Sequence, residues 1–219
     1  MNNVQKSCYR DNRIVGLVEY CRALNTEQIT ALIFRDMKAG QRKAQQRLKR
    51  LYETKRLKRC RLAPDAPYCY YLDKRNGRIE HLIALNWVYT WLMVTMPSWE
   101  TPLCWQYEQD YKILQTDAFF GARNHVTNKA RFLFVELDRD NNPWDKIAKY
   151  NRLYETEGYR GSWWVEYTDK FPAVLCVTES ENRMARIKAL IEKENVNGLR
   201  FEVKLLDSLI KEVKETCRK

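Results

Sequence analysis

The sequence predicts an α+β chain in two parts: three helices with a β-hairpin, then an α/β layer built on a mixed sheet. Three observations predict it. Apolar residues recur at helical spacing up to about residue 51, two strand-like runs flank a proline-bearing turn at 63–67, and from Leu103 strand-like and helical patterns alternate. The 219 residues are 45% hydrophobic, enough to bury real cores, which excludes a disordered chain.

The first helix is predicted from Ile14, Leu17, Val18 and Cys21, which step by three and four residues along one face. Asn25 or Thr26 caps a second helix that runs to about Phe34 with Ile29, Leu32 and Ile33 inward. A third starts near Ala39 and turns Ala44, Leu48 and Leu51 to the core. Leu57–Leu62 and Tyr68–Leu72 read as the strands of a hairpin whose turn carries Pro64 and Pro67. Three helices followed by a hairpin make a winged helix-turn-helix, expected over residues 1–80.

Leu82 to Met96 is apolar almost all round, interrupted by Asn86, and too short for the roughly 18 residues that span a bilayer. It is expected to be a buried helix that joins two domains or forms a homodimer seam, within a connecting segment 81–101. The second domain, 102–219, is expected to run as strands Leu103–Gln109, Thr116–Phe120 and Ala130–Leu137, helix Pro143–Gly158, strands Trp163–Tyr167 and Ala173–Thr178, helix Glu181–Glu194, strand Leu199–Leu205 and helix Asp207–Thr216.

Charge is concentrated in one place. Lys and Arg number 39 against 28 Asp and Glu, a net +11, and the segment Lys38–Arg61 alone holds eleven bases against the single acid Glu53. The rest is close to neutral, and a solvated helix face normally mixes both signs, so this module points to an acidic partner, first of all double-stranded DNA. On the third helix Gln41, Arg42, Gln45, Gln46 and Lys49 suit base edges and adjoining phosphates; Lys55, Lys58, Arg59 and Arg61, beside or within the hairpin, suit phosphates. Tyr68, Tyr70 and Tyr71 are read as hairpin packing.

Several function classes are excluded. No G-x-x-x-x-G-K-[ST] phosphate loop or other cofactor motif occurs. The seven cysteines are scattered and never form C-x-x-C, against a disulfide framework or a zinc knuckle and in favour of reduced cytoplasmic thiols. Residues 1–13 lack the apolar stretch of an export signal, and no membrane association is expected. His81 and His125 have no metal-spaced partner, which excludes the histidine cluster of the common relaxases, and Gly158 and Gly161 read as a helix stop and turn.

The strand Ala130–Leu137 delivers Glu136, with Asp138 just beyond it, to one edge, where they could converge with Asp117 and Glu108. Clustered carboxylates suit a divalent cation, Mg²⁺ or Mn²⁺, the usual logic of a nuclease site. On the runs RLKRLYETKRLKR, YYLDKRNG, QTDAFF, FLFVELDRD and KIAKYNRLY, between Arg13 and Val213, the chain resembles the replication-relaxation family of plasmids and mobile elements. That resemblance implies a winged helix joined to a restriction-endonuclease-like domain, with replication or transfer proteins as partners. The nuclease pattern of Pro-Asp followed by acid-x-Lys would fall on Thr116-Asp117 and Glu136-Leu137-Asp138, where the lysine is missing. Lys149, on the following helix, is the expected substitute, giving Asp117, Glu136 and Lys149 as a conditional catalytic set. The readings carried forward are a DNA-binding protein with a degenerate nuclease-like domain, a metal-dependent DNA nickase, and a dimeric winged-helix repressor.

Overall fold

The computed structural model describes residues 2–139 and 143–217; Asp140, the last residue of the FLFVELDRD run, lies outside them. The chain is mixed α+β and divides into two compact units, Met1–Thr95 with Ile210–Lys219, and Met96–Leu209.

In the first unit, helix α1 (Asn3–Tyr20) starts at an Asn2 capping box closed by Gln5 and buries Ile14, Val18 and, just past its end, Cys21. A short strand β1 (Leu24–Asn25) leads into α2 (Thr26–Ile29), whose cap is also reciprocal: Asn25 Oδ1 accepts from the Gln28 amide, and Gln28 Oε1 from that of Asn25. The second helix continues as a π-helical turn, Thr30–Phe34. Ala39, in the left-handed region at φ 58°, then turns the chain into α3 (Gly40–Glu53). Gly40 is required there, because a Cβ would collide with the Phe34 carbonyl. The hairpin follows as β2 (Lys58–Cys60) and β3 (Cys69–Tyr71), which join β1 in an antiparallel sheet of order β1-β3-β2.

Helix α4 (Ile79–Thr95) is buried along nearly its whole length in the single chain, packing on α2, the π-helical turn and β1. Asn86, the interruption in its apolar run, is fully buried and donates from Nδ2 to the Cys21 and Ala23 carbonyls at 2.9 and 2.6 Å, while Gln28 Nε2 donates to Ile83 O at 2.8 Å. Those bonds fasten α4 to the end of α1 and to α2.

The second unit is one five-stranded mixed sheet: β4 (Glu100–Tyr107), β5 (Ala118–Asn124), β6 (Ala130–Asp138), β7 (Ala173–Thr178) and β8 (Phe201–Leu205), in that order. The first three form an antiparallel meander; β7 and β8 are added in parallel through α5 (Lys146–Glu155) and α6 (Glu181–Glu194). A final helix, α7 (Leu206–Thr216), ends the described chain. The core gathers Phe119, Phe132 and Phe134 of the sheet with Ile147, Tyr150, Leu153, Trp164 and Ile187.

One expected strand is absent. Trp163–Tyr167 is a 3-10 helical turn, with Trp164 driven into the core and Trp163 and Tyr167 left half-exposed. Its aromatic and β-branched residues mimic strand propensity, but burial of Trp164 between Tyr159 and Phe119 decides the conformation. The second strand also begins at Ala118 instead of Thr116, and the helix expected over 143–158 is the shorter α5. Among the described residues no helix is long and apolar enough to cross a membrane.

Removing the buried Asn86 amide deprives two carbonyls of their donor. Asn86→Leu, close in volume, is expected to lower unfolding free energy by about 1–3 kcal/mol in a denaturant titration; an unchanged midpoint would show that α4 is held by apolar packing alone.

Candidate functional site

Helix α3 divides its residues sharply. Ala44, Leu48 and Leu51 are buried at i, i+4 and i+7, and Gln41, Arg42, Lys43, Gln45, Gln46, Lys49 and Arg50 are exposed. Its orientation is set by Arg47, whose guanidinium grips Asp11 of α1 in a bidentate pair, Nε–Oδ1 2.8 Å with Nη2 on Oδ2, both side chains largely buried. Arg47 is therefore a structural residue within the basic run. Gln41, Arg42, Gln45 and Gln46 make no side-chain hydrogen bond or ion pair among the described residues, and Lys49 makes only an exposed i,i+4 contact to Glu53 at 3.7 Å.

The hairpin cations are more committed. Arg59 lies over the rings of Tyr52 and Tyr68 at 4.0 and 4.1 Å, and Arg61 over Tyr68 at 4.2 Å. Arg61 also donates to Pro64 O at 2.8 Å, and Lys58 Nζ to Asp73 O. Lys55, with φ 57°, is exposed at the turn after α3. Tyr70 is buried, as hairpin packing requires, and Tyr68 is half-buried under the two guanidiniums. Sequence spacing marks these bases but not their stacking partners.

The four expected acids do not form one cluster, although Asp117 lies near enough to Glu136 to act on its charge. Asp117, just before β5, accepts the Leu137 amide at 2.8 Å through Oδ2 and so lies beside β6. Glu136, inside β6, is 2% exposed: Oε1 accepts from the Tyr150 hydroxyl at 2.6 Å, and Oε2 faces Lys146 Nζ at 2.8 Å. Asp138 is instead clamped by Arg183 of α6, Nε–Oδ2 2.5 Å and Nη2–Oδ1 3.0 Å. Glu108 is exposed at the end of β4, at φ 55°. No group of three or more His, Cys, Asp or Glu side chains that could hold a metal ion occurs among the described residues.

The expected lysine is also displaced by one turn. Lys149 pairs with Asp145 at 2.6 Å, i to i+4 along α5, whereas Lys146 at the start of that helix reaches Glu136 and donates to Gln115 O at 2.7 Å. The helix begins at Lys146, not Pro143, so its first turn overlies the end of β6; that starting point could not be read from the apolar period alone. Tyr150, one turn on, completes the set.

Burial is the largest influence on Glu136 and pushes its carboxyl up from 4.5 to about 7; Lys146 opposes the shift and Asp117 adds to it. Burial likewise drives the Tyr150 hydroxyl well above its ordinary value, so it serves as a donor. The arrangement couples a carboxyl that can hold or release a proton near neutrality to a lysine and a tyrosine. Comparison with protein-family models, with curated proteins and with solved structures finds no match to this chain.

Between pH 4.5 and 7 the folded protein keeps a proton on Glu136 that the unfolded chain has released, so this group's contribution to stability falls as pH rises through that window, by about 3 kcal/mol in all. Unfolding free energies measured across it should therefore drop for the native sequence relative to Glu136→Gln. A difference between the two proteins that does not vary with pH would contradict the assignment.

Proposed function

We propose that the chain is a DNA-binding protein that docks on duplex DNA through a winged helix-turn-helix formed by α1, α2 with its π-helical turn, α3 and the β2–β3 hairpin. The observation that carries this reading is the outer face of α3, where an amide-rich row, Gln41, Gln45 and Gln46, stands beside Arg42 and Lys49 with no acid before Glu53. Amides and guanidinium suit adenine and guanine edges in a major groove, which an α-helix fits. Lys55, Lys58, Arg59 and Arg61 suit phosphate, and stacking of the two arginines on Tyr68 orders them before contact. The sequence resemblance adds support for a role in replication or transfer of a plasmid or mobile element.

A second reading is supported by the Asp117–Glu136–Lys146 juxtaposition, in which a lysine from α5 stands in for the one missing after β6. In a nuclease-like domain of this kind Asp117 and Glu136 would hold Mg²⁺ or Mn²⁺, and the cation would supply charge neutralisation at a phosphodiester. The fit is incomplete, since Lys146 already neutralises Glu136 and Arg183 occupies Asp138. The binding role is therefore the primary one. A dimeric repressor is less favoured, because α4, the expected seam, is already buried in the single chain.

Replacing Arg42 and Lys49 together with Ala is expected to weaken duplex binding and to reduce the slope of log affinity against log salt by about 0.9 for each phosphate no longer neutralised. An unchanged slope, with affinity intact, would remove α3 as the contact surface. Calorimetric titration with Mg²⁺ or Mn²⁺, beside nicking of supercoiled plasmid by the native protein and by Glu136→Ala, separates the enzyme: nicking abolished by that change supports the second reading, and absence of metal binding excludes it.

A further inference from the structure

The β2–β3 ladder sets Cys60 directly opposite Cys69. Neither the scattered cysteine positions nor the absence of C-x-x-C reveals this pair; it follows from hairpin register. Directly opposed residues on an antiparallel pair carry their Cβ atoms roughly 4.5–5.5 Å apart and on the same face, and a disulfide needs about 3.5–4.5 Å, so a small tightening suffices. That adjustment is available locally. The pair closes the ladder at the turn 61–68, and β2 is an edge strand with a single hydrogen-bonded neighbour.

We propose that Cys60 and Cys69 are a dithiol modification site that a hydroperoxide converts to an intramolecular disulfide, and that the bond alters duplex binding by fixing the hairpin.

The two cysteines divide the chemistry. Cys60 is partly exposed and Cys69 is 1% exposed, so the oxidant meets Cys60 first. The Cys60 thiolate attacks one oxygen of the peroxide, forming S–O and breaking O–O; the other oxygen leaves as alkoxide or hydroxide and takes a proton. The Cys69 sulfur, giving up its proton, attacks the sulfenic sulfur, so that S–S forms, S–O breaks and water leaves. Burial, with Cys60 nearby, pushes the Cys69 thiol up to about 12, which keeps it protonated until that second step. The remaining five cysteines have no such opposed partner in the strand registers: Cys104 pairs with Gly121 and Cys176 with Glu136 and Val203, while Cys8, Cys21 and Cys217 lie outside the strands.

The consequence for binding comes from the neighbours. Cys60 sits between Arg59 and Arg61, and Cys69 follows Tyr68, the ring on which both guanidiniums rest. A covalent tie at this point holds the two arginines and their platform as one unit. This second half of the inference rests on the duplex-binding reading; the disulfide does not.

The native 219-residue chain, folded and fully reduced, is treated with hydrogen peroxide, remaining thiols are alkylated, and tryptic peptides are mapped by mass. The expected product joins Cys60-Arg61 to Leu62–Lys74 with loss of two hydrogens, and is reversed by dithiothreitol. Both cysteines recovered alkylated, or either one joined to a different cysteine, overturns the site. Duplex affinity of the oxidised and reduced forms is then compared, with Cys60→Ser as a variant expected to show no peroxide effect. A formed disulfide with equal affinities overturns the regulatory half. A reduced protein that binds no duplex refutes the DNA-binding reading, and leaves the disulfide standing on its mass alone.

Discussion

A carboxylate buried near the end of the central strand is the constraint around which the second unit is organised. An isolated ionised carboxylate in such surroundings is prohibitively costly, so it must be neutralised, paired or hydrogen-bonded. Glu136 meets all three demands at once. Tyr150 donates to one oxygen, Lys146 faces the other, and the proton is retained to near neutrality. Because both partners belong to α5, one turn apart, satisfying the acid fixes the rotation of that helix on the sheet. The same rotation carries Ile147 and Leu153 into the aromatic core beside Phe134. The seating of α5 on the sheet therefore answers to one side chain.

The first unit uses buried polar groups in the same manner but for a different end. Asn86 and Gln28 tie α4 to α1 and α2, and the Asp11–Arg47 pair ties α3 to α1. Each bond is specific in direction, where apolar packing alone would tolerate rotation of a helix about its axis. Their combined effect is to settle which face of α3 points outward. Arg47 turns inward to make that bond, and the bases beside it face solvent with their hydrogen-bonding capacity unspent. Within the basic run Arg47 is thus a buried anchor, Arg59 and Arg61 are stacked on hairpin and helix rings, and Arg42, Lys43, Lys49 and Arg50 face outward on the helix.

Much of this was legible in the chain. Capping residues, the Ala44–Leu48–Leu51 stripe, the hairpin runs and the alternation after Leu103 all appear as local patterns, and the structure places helices and strands close to them. Two kinds of information were not local. Trp163–Tyr167 carries strand-forming residues but obeys the core, because burying Trp164 against Phe119 and Tyr159 outweighs propensity. The choice between Lys146 and Lys149 depends on where α5 starts relative to the end of β6, and residues three apart on a helix differ little in apolar pattern. Partnership across the sheet was similarly hidden: Asp138 reads as a companion of Glu136, yet Arg183, 45 residues later, claims it.

These pairings also explain why a sequence rich in acids at strand ends need not build a cation site. A divalent ion needs oxygen ligands that converge with lone pairs uncommitted. Among the described acids at this edge, Glu136 is answered by a lysine and a tyrosine, Asp138 by a guanidinium and Asp117 by a backbone amide. Any cation drawn to Glu136 would have to displace the Lys146 ammonium, which opposes it by charge repulsion. The bases on α3 face the opposite situation, with like charges adjacent along one face and no acid until Glu53. Repulsion along that face is met only by Glu53 at its end, so among the described residues the excess of like charge lies on this helix and not in the acidic strand.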